Sequence, residues 1–265
     1  MYATNYHRPA TIEEAVSLLT GNDEAKALSG GQTLLPTMRQ RLAAPSDLVD
    51  LRGLPGMTGV SAGDGTLTVG AAVAHADVAG NADVLRLIPA LAGLAGRIGD
   101  PAVRHMGTIG GSLANNDPAA DYPAAALALG ASIVTNSREI DAGDFFQGMF
   151  TTALEDGEII TAVRFPVPEK AAYAKFPNPA SRYAMVGVFV ARTSAGARVA
   201  VTGAGADGVF RHSAMETALD ADWSPEALAG VATPADGLLS DIHGSAAYRA
   251  HLVGVMARRA VAAAG

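Results

Sequence analysis

The chain has 265 residues, 49% hydrophobic and 17% charged, enough apolar material to bury the core of one large domain or two moderate ones. It contains no cysteine, which excludes disulfides, thiolate zinc sites, Cys-ligated clusters and a cysteine nucleophile within it. Its formal charge is −7 and aromatics make up only 5%, so neither a basic field nor stacking platforms recommend nucleic acid or an anionic membrane as partner.

In chain order, "TIEEAVSLLT" places Ile12, Ala15, Val16, Leu18 and Leu19 on one helical face, with Thr11 as N-cap. "EAKALSG" reads as a strand running into Gly30-Gly31, "TLLPTMRQRLA" as a second helix, and "SDLVDL" (46–51) as a buried strand. From Leu54 the pattern changes: "MTGVSAGDGTLTVGAAV" alternates around "GDG" as a β-hairpin does. A helix is expected over about 84–98, with Leu85, Ile88, Leu91, Leu94, Ala95 and Ile98 as its apolar stripe. "RHMGTIGGSLANNDPAADYPA" (104–124) reads as a loop, followed by a short helix at Ala124–Leu129 and a strand in "GEIITAVRFPVP" (157–168).

Pro166–Lys170 is the expected linker. Beyond it, a hairpin turns at Ser194–Ala197, and helical segments fall near 213–220, 224–230 and 245–263. The fold class is therefore α+β, split near residue 169. The start "MYATNYHRPA" has no basic segment followed by an apolar core, and the apolar runs are too short to span a bilayer, so a cytoplasmic protein without membrane insertion is expected.

Two segments carry special chemistry. In "LSGGQTLL" (28–35), a strand enters a glycine pair and leaves as a helix, lining up N–H groups that can accept a phosphate without a Lys or Arg; an ordinary turn using glycine for positive φ is the alternative. In the 104–124 segment, Gly107, Gly110 and Gly111 permit close backbone approach, while Thr108, Ser112, Asn115 and Asn116 supply neutral donors and acceptors. Asp117 and Asp121 either accept from ribose or ribityl hydroxyls or cap the turns before Pro118 and Pro123. Residues 1–168 hold 10 Lys and Arg against 18 Asp and Glu, so an anion bound there must be held by local N–H groups.

Other motifs carry little. "GAGADG" (203–208) matches a dinucleotide fingerprint literally, but it follows the second arm of a hairpin and "GVFRH" continues extended rather than opening a helix. The six histidines show no metal-ligand spacing, and there is no nucleophile elbow, so no catalytic or metal-binding residue is assigned. His75 in "HAD" is a pair partner without a third member, and Arg104 and His105 are read as structural.

Together, "SGGQTLLPTMRQRL" and "MGTIGGSLANNDPAADYPA" resemble the two FAD-binding signatures of the molybdenum hydroxylase flavoproteins: the medium subunits of carbon monoxide dehydrogenase type and the middle domain of xanthine dehydrogenase. The resemblance continues through "GEIITAVRFPVP", "YAKFPNPASRYAMVGV" and "SAAYRAHLVGVMARRAV". It implies an FAD-binding domain over 1–168, similar to vanillyl-alcohol oxidase (PCMH type), with subdomains of about 1–53 and 54–168, and a small C-terminal domain of antiparallel sheet and helices over 169–265. It further implies that Ser29, Gly30, Gly31, Gln32, Thr33, Leu34, Leu35 and Pro36 cradle the FAD diphosphate. Gly107, Thr108, Ile109, Gly110, Gly111, Ser112, Asn115, Asp117 and Asp121 would meet the cofactor from the second subdomain. Ile98 would flank its ring, Ile160 would pack on the flavin or adenine, and Lys175 would contact FAD from the C-terminal domain. The xanthine dehydrogenase pattern has Asn where Ser112 stands, and acidic residues ahead of the run seen here as "SRYAMVGV"; "NPASRY" resembles a bacterial medium-subunit variant instead.

The resemblance implies partners as well: a large molybdopterin subunit and a small subunit with two 2Fe–2S clusters, assembled as a dimer of heterotrimers. Electrons would pass from those clusters through FAD to an external acceptor. A self-contained FAD-dependent reductase or oxidase of the same fold, and a non-redox nucleotide-binding scaffold, are the alternatives.

Overall fold

The computed structural model describes all residues, 1–265. The chain opens with β1 (Asn5–His7), α1 (Ile12–Thr20), β2 (Ala25–Leu28), α2 (Leu34–Arg39) and β3 (Asp47–Asp50). The strands form a small parallel sheet in the order β1-β3-β2. Thr11 caps α1 as expected, its side chain accepting from the Glu14 N–H.

The second region runs β4 (Val60–Gly63), β5 (Thr66–Gly70), α3 (His75–Gly80), α4 (Ala82–Leu87), α5 (Pro89–Ala95), α6 (Pro101–Met106), α7 (Ile109–Asn115) and α8 (Tyr122–Leu129). It continues with β6 (Ser132–Thr135), β7 (Glu139–Asp141), α9 (Ala142–Phe145), β8 (Phe146–Gly148), β9 (Thr151–Thr152) and β10 (Ile160–Pro166). A five-stranded antiparallel sheet has the order β4-β5-β10-β6-β7. The "GDG" hairpin is present between β4 and β5, with Asp64 and Gly65 both at positive φ (49° and 71°), the conformation a two-residue primed turn demands.

Two expectations fail here. The helix over 84–98 is broken: α4 ends at Leu87, Ile88 takes φ −137° and ψ 68°, and Pro89 starts α5. Proline disfavours helical backbone in the residue before it and cannot donate to the preceding turn, so the register of the apolar stripe is interrupted and Leu85 is left half exposed. The loop over 104–124 is largely helical, containing the end of α6 and all of α7, because Asp100 and Thr108 cap two short helices that the glycines obscure.

The last region contains β11 (Lys170–Pro177), β12 (Ala184–Thr193), β13 (Gly196–Thr202), β14 (Phe210–Arg211), α10 (Ser213–Ala221), a 3₁₀ turn at Glu226–Leu228 where a helix over 224–230 was expected, and α11 (Ala246–Ala264). The sheet order is β11-β12-β13-β14. β12 is buried from Ala184 through Ala191 because both its faces are covered. Phe189, Ala191 and Ala200 join the main core, which also holds α8, whereas Val186, Val188, Val190 and Val199 pack with Met256, Ala257 and Ala260 of α11. Helix α8 is buried on every side, so it is the apolar peg between the second and third sheets. No helix is long and apolar enough to cross a membrane.

Candidate functional site: a cleft between two glycine loops

A cleft of about 980 Å³ opens where the loop after β2, the connection from α5 to α8, the start of β10 and the Ser181–Tyr183 turn converge. Of the residues named from sequence, Ser29, Gly30, Gly31, Gln32, Thr33, Leu34, Ile98, Gly107, Thr108, Gly110, Gly111, Ser112, Asn115, Asp117, Asp121 and Ile160 line it. Leu35, Pro36, Ile109, Asn116 and Lys175 do not; Asn116 is buried and its amide donates to the Gly148 and Thr151 carbonyls, each at 2.8 Å. Leu35 packs with Leu28 and Met38 in a small core under α2, Ile109 is fully buried in the main core, and Pro36 lies within α2.

The glycines do something the sequence did not show: they dock the two loops on each other. A Cβ on Gly30 would overlap the Met106 carbonyl oxygen and fall 2.6 Å from Gly107 Cα. A Cβ on Gly110 would fall 2.6 Å from Ala71 Cβ and 2.8 Å from Ala71 O, the carbonyl that already accepts from the Gly110 N–H. Thr108, almost fully buried, adds a side-chain tie: its Oγ1 accepts from the Gly111 N–H at 3.2 Å, capping α7, and lies 2.8 Å from Ser29 Oγ. The N–H groups at the start of α7 are thereby spent on protein acceptors. Those from Ser29 to Leu34 have none: no main-chain or side-chain oxygen accepts from them, and Thr33 makes no side-chain cap on α2. A run of uncommitted N–H donors facing a cleft is a place for an anion.

The two aspartates split the roles left open between them. Asp117 caps its own turn, accepting from the Ala119 N–H at 2.8 Å. Asp121 caps nothing. Its carboxylate accepts from Lys175 Nζ at 2.9 Å and from Tyr173 Oη at 2.6 Å, and Lys175 Nζ also donates to Arg97 O at 3.2 Å. Burial pushes the Asp121 carboxyl up, opposed mainly by the Lys175 charge and the two hydrogen bonds. Lys175 thus reaches the cleft through Asp121 rather than directly. Arg104 donates to the Ile98 and Gly99 carbonyls at 3.1 and 3.2 Å, fixing that wall.

Residues 2–168 match the model of the FAD binding domain in molybdopterin dehydrogenase, and residues 171–264 match that of the CO dehydrogenase flavoprotein C-terminal domain. The chain belongs to the FAD-binding medium subunits of the molybdenum hydroxylase family. It is 35% identical to the carbon monoxide dehydrogenase medium chain of Afipia carboxidovorans, covering 97% of this chain and 95% of that one. It is equally similar, at 35%, to the nicotine 6-hydroxylase medium subunit of Paenarthrobacter nicotinovorans, covering 99% and 98%. Among solved structures it superposes on the Cu,Mo-CO dehydrogenase in its cyanide-inactivated form with a TM-score of 0.91 at 33% identity, covering 99% of this chain and 98% of that chain. A match to quinoline 2-oxidoreductase from Pseudomonas putida 86 has a TM-score of 0.89 at 30% identity, covering 99% and 97%. These relatives are oxidoreductases, and FAD is the cofactor of the matched domain.

In this medium subunit the cleft also has walls that sequence reasoning missed. Tyr183 and Ser181 reach it from the C-terminal sheet, and Glu158 from the turn before β10. Arg138 holds the Glu158 carboxyl at about 2, well below its ordinary value, with help from the Glu155 N–H, Thr135 and Ser137. His75 lines the cleft too, although the sequence offers only a lone histidine on a short apolar segment. Burial, reinforced by the Arg104 charge, lowers its pKa from 6.5 to about 4.

Two expected outcomes follow for this region. The unfolded chain binds a proton at His75 between pH 6.5 and 4 while the folded one does not. Its stability must therefore fall as pH drops through that window, by roughly 3 kcal/mol from this group. Urea midpoints measured from pH 7 to 4 should drop less steeply in His75→Gln; parallel curves would remove His75 as the cause. Thr108→Val keeps the shape but loses the cap and the Ser29 tie, and should cost about 1–2 kcal/mol in urea denaturation. An unchanged midpoint would show that the tie contributes nothing.

Proposed function

We propose that the cleft holds FAD with its diphosphate on the N–H groups of Ser29–Leu34, and that the chain is the electron-transfer subunit of a heterotrimeric molybdenum hydroxylase. The observation that carries the site assignment is that run of N–H groups without protein acceptors, in a cleft where no arginine stands and where Lys26 is the one lysine. The rest of the cleft suits the remainder of such a cofactor. Ile98, Ile159, Ile160, Leu154 and Met57 offer apolar surface, and Ser112, Asn115, Asp117 and the Asp121 carboxylate offer partners for hydroxyls and ring heteroatoms. Leu35, Pro36 and Ile109 support the loops from behind, and Lys175 holds the Asp121 carboxylate.

Bound flavin supplies the redox chemistry, exchanging electrons singly or in pairs. This chain's residues bind it, exclude water with the apolar wall, and orient it with the two docked loops. The proposed electron path enters from two 2Fe–2S clusters in a small partner subunit, supplied by a large molybdopterin subunit, and leaves to an external acceptor, in a dimer of heterotrimers. The "medium" designation of the relatives supports companion subunits of other sizes. The proposed division at residue 169 gives the diphosphate cradle to the N-terminal domain and lets the C-terminal domain close the cleft through Ser181 and Tyr183, with Lys175 holding Asp121 from behind.

Purification from the native host tests the reading. Stoichiometric FAD, molybdenum and iron with two further chains are expected. A solitary yellow protein would favour a self-contained flavin enzyme, and a colourless one that releases no FAD on denaturation would overturn the flavin assignment.

A further inference from the structure

We infer that His75 is a further binding residue of the cleft, donating a hydrogen bond from Nε2–H to the diphosphate of the bound dinucleotide; this rests on the placement of FAD proposed above. His75 is 5% exposed, at the first turn of α3, and its ring packs on Tyr122 with centroids 5.3 Å apart. Its Nδ1 is buried without a hydrogen-bond partner. Its Nε2 has no protein partner either, but it is not sealed in: the residue lines the cleft, and Nε2 is the ring nitrogen left open to it.

The tautomer follows from the environment. Burial and the Arg104 charge keep the ring neutral near pH 7, so it carries one proton. A buried N–H without an acceptor is the costlier orphan, so the proton belongs on Nε2, facing the cleft. Neighbouring backbone places that donor. Gly107 sits between His75 and the first loop: a Cβ on Gly107 would fall 2.6 Å from His75 Nε2, and Gly107 Cα would lie 2.6 Å from a Cβ on Gly30. The His75 N–H also donates to Gly107 O at 2.9 Å, which fixes the helix start against this point. The imidazole therefore stands across one glycine from the unpartnered N–H run. It adds a neutral side-chain donor to an otherwise main-chain cradle in an acidic region, where a neutral donor aids an anion without requiring a buried cation.

The test uses the full chain, purified with the subunits that accompany it and stripped of flavin, with FAD, ADP and riboflavin as probes. Wild type should bind FAD and ADP. His75→Phe should raise Kd for both by roughly 10- to 100-fold and leave riboflavin unchanged, whereas His75→Gln, whose amide N–H reaches the same place, should recover most of the loss. Melting temperatures of the stripped proteins separate lost binding from lost folding. If wild type binds and His75→Phe matches it for FAD and ADP, or if the loss falls on riboflavin, the inference is overturned while the FAD placement stands. If wild type binds neither FAD nor ADP, the placement itself fails and the inference with it.

Discussion

Lys175→Met should destabilise the chain by about 3–5 kcal/mol in urea denaturation, the largest single side-chain effect expected outside the core. Lys175 and Asp121 have side chains 1% and 4% exposed, and they join β11 to the segment that starts α8. Removing the ammonium leaves a buried carboxylate with Tyr173 as its one remaining side-chain donor. The position is coupled, so Lys175→Met combined with Asp121→Asn should cost less than the sum of the two single changes, because the uncompensated charge is then gone. The outcome also separates two roles. If Lys175 acts through Asp121, stability and FAD retention fall together. If Lys175→Met weakened FAD binding while the stripped protein kept its full urea midpoint, a direct contact with the cofactor would replace the positioning role.

Gly110→Val is the second large effect, about 3 kcal/mol or more, with FAD lost as a consequence. A valine Cβ would fall 2.6 Å from Ala71 Cβ and 2.8 Å from its carbonyl, so the start of α7 would be pushed off the segment that follows β5 and the Gly110 N–H would lose its acceptor. The second glycine loop would then no longer meet the first. Gly93→Ala is the matched control: nothing lies within 4 Å of that Cβ, the position is on the exposed face of α5, and a gain of about 0.5–1 kcal/mol is expected. A Gly110→Val protein with an unchanged urea midpoint but no flavin would mean that the cofactor itself, rather than Ala71, occupies the space over Gly110.

That contrast marks a wider difference between what was legible and what was not. Local signals suffice for several elements. Thr11 caps α1, "GDG" turns a hairpin, and the 203–208 fingerprint runs on into the extended β14 instead of opening a helix. Each depends on a few adjacent residues whose conformational preferences dominate their neighbourhood. The 84–98 segment misled because one proline at position 89 outweighed a good helical stripe. The 104–124 segment misled because glycines suggested loop, while the caps Asp100 and Thr108 and tertiary contacts from Ala71 and Val73 hold short helices.

The sequence alone determined the α+β class, the absence of thiol chemistry, the two glycine signatures and, through them, the family. Their residue types and order along the chain suffice for that. Only the tertiary structure decided what each residue does. The Cβ positions of Gly30 and Gly110 abut neighbouring protein although both residues line the cleft, Asp117 closes a turn while Asp121 takes Lys175, and His75 joins the lining. Apart from the Asp117 turn, the partners in these contacts lie tens of residues apart, as do Ser29 with Thr108 and Asp121 with Lys175. Contacts over such separations are fixed by how sheets and helices pack around the α8 peg, and local preference along the chain carries no record of them.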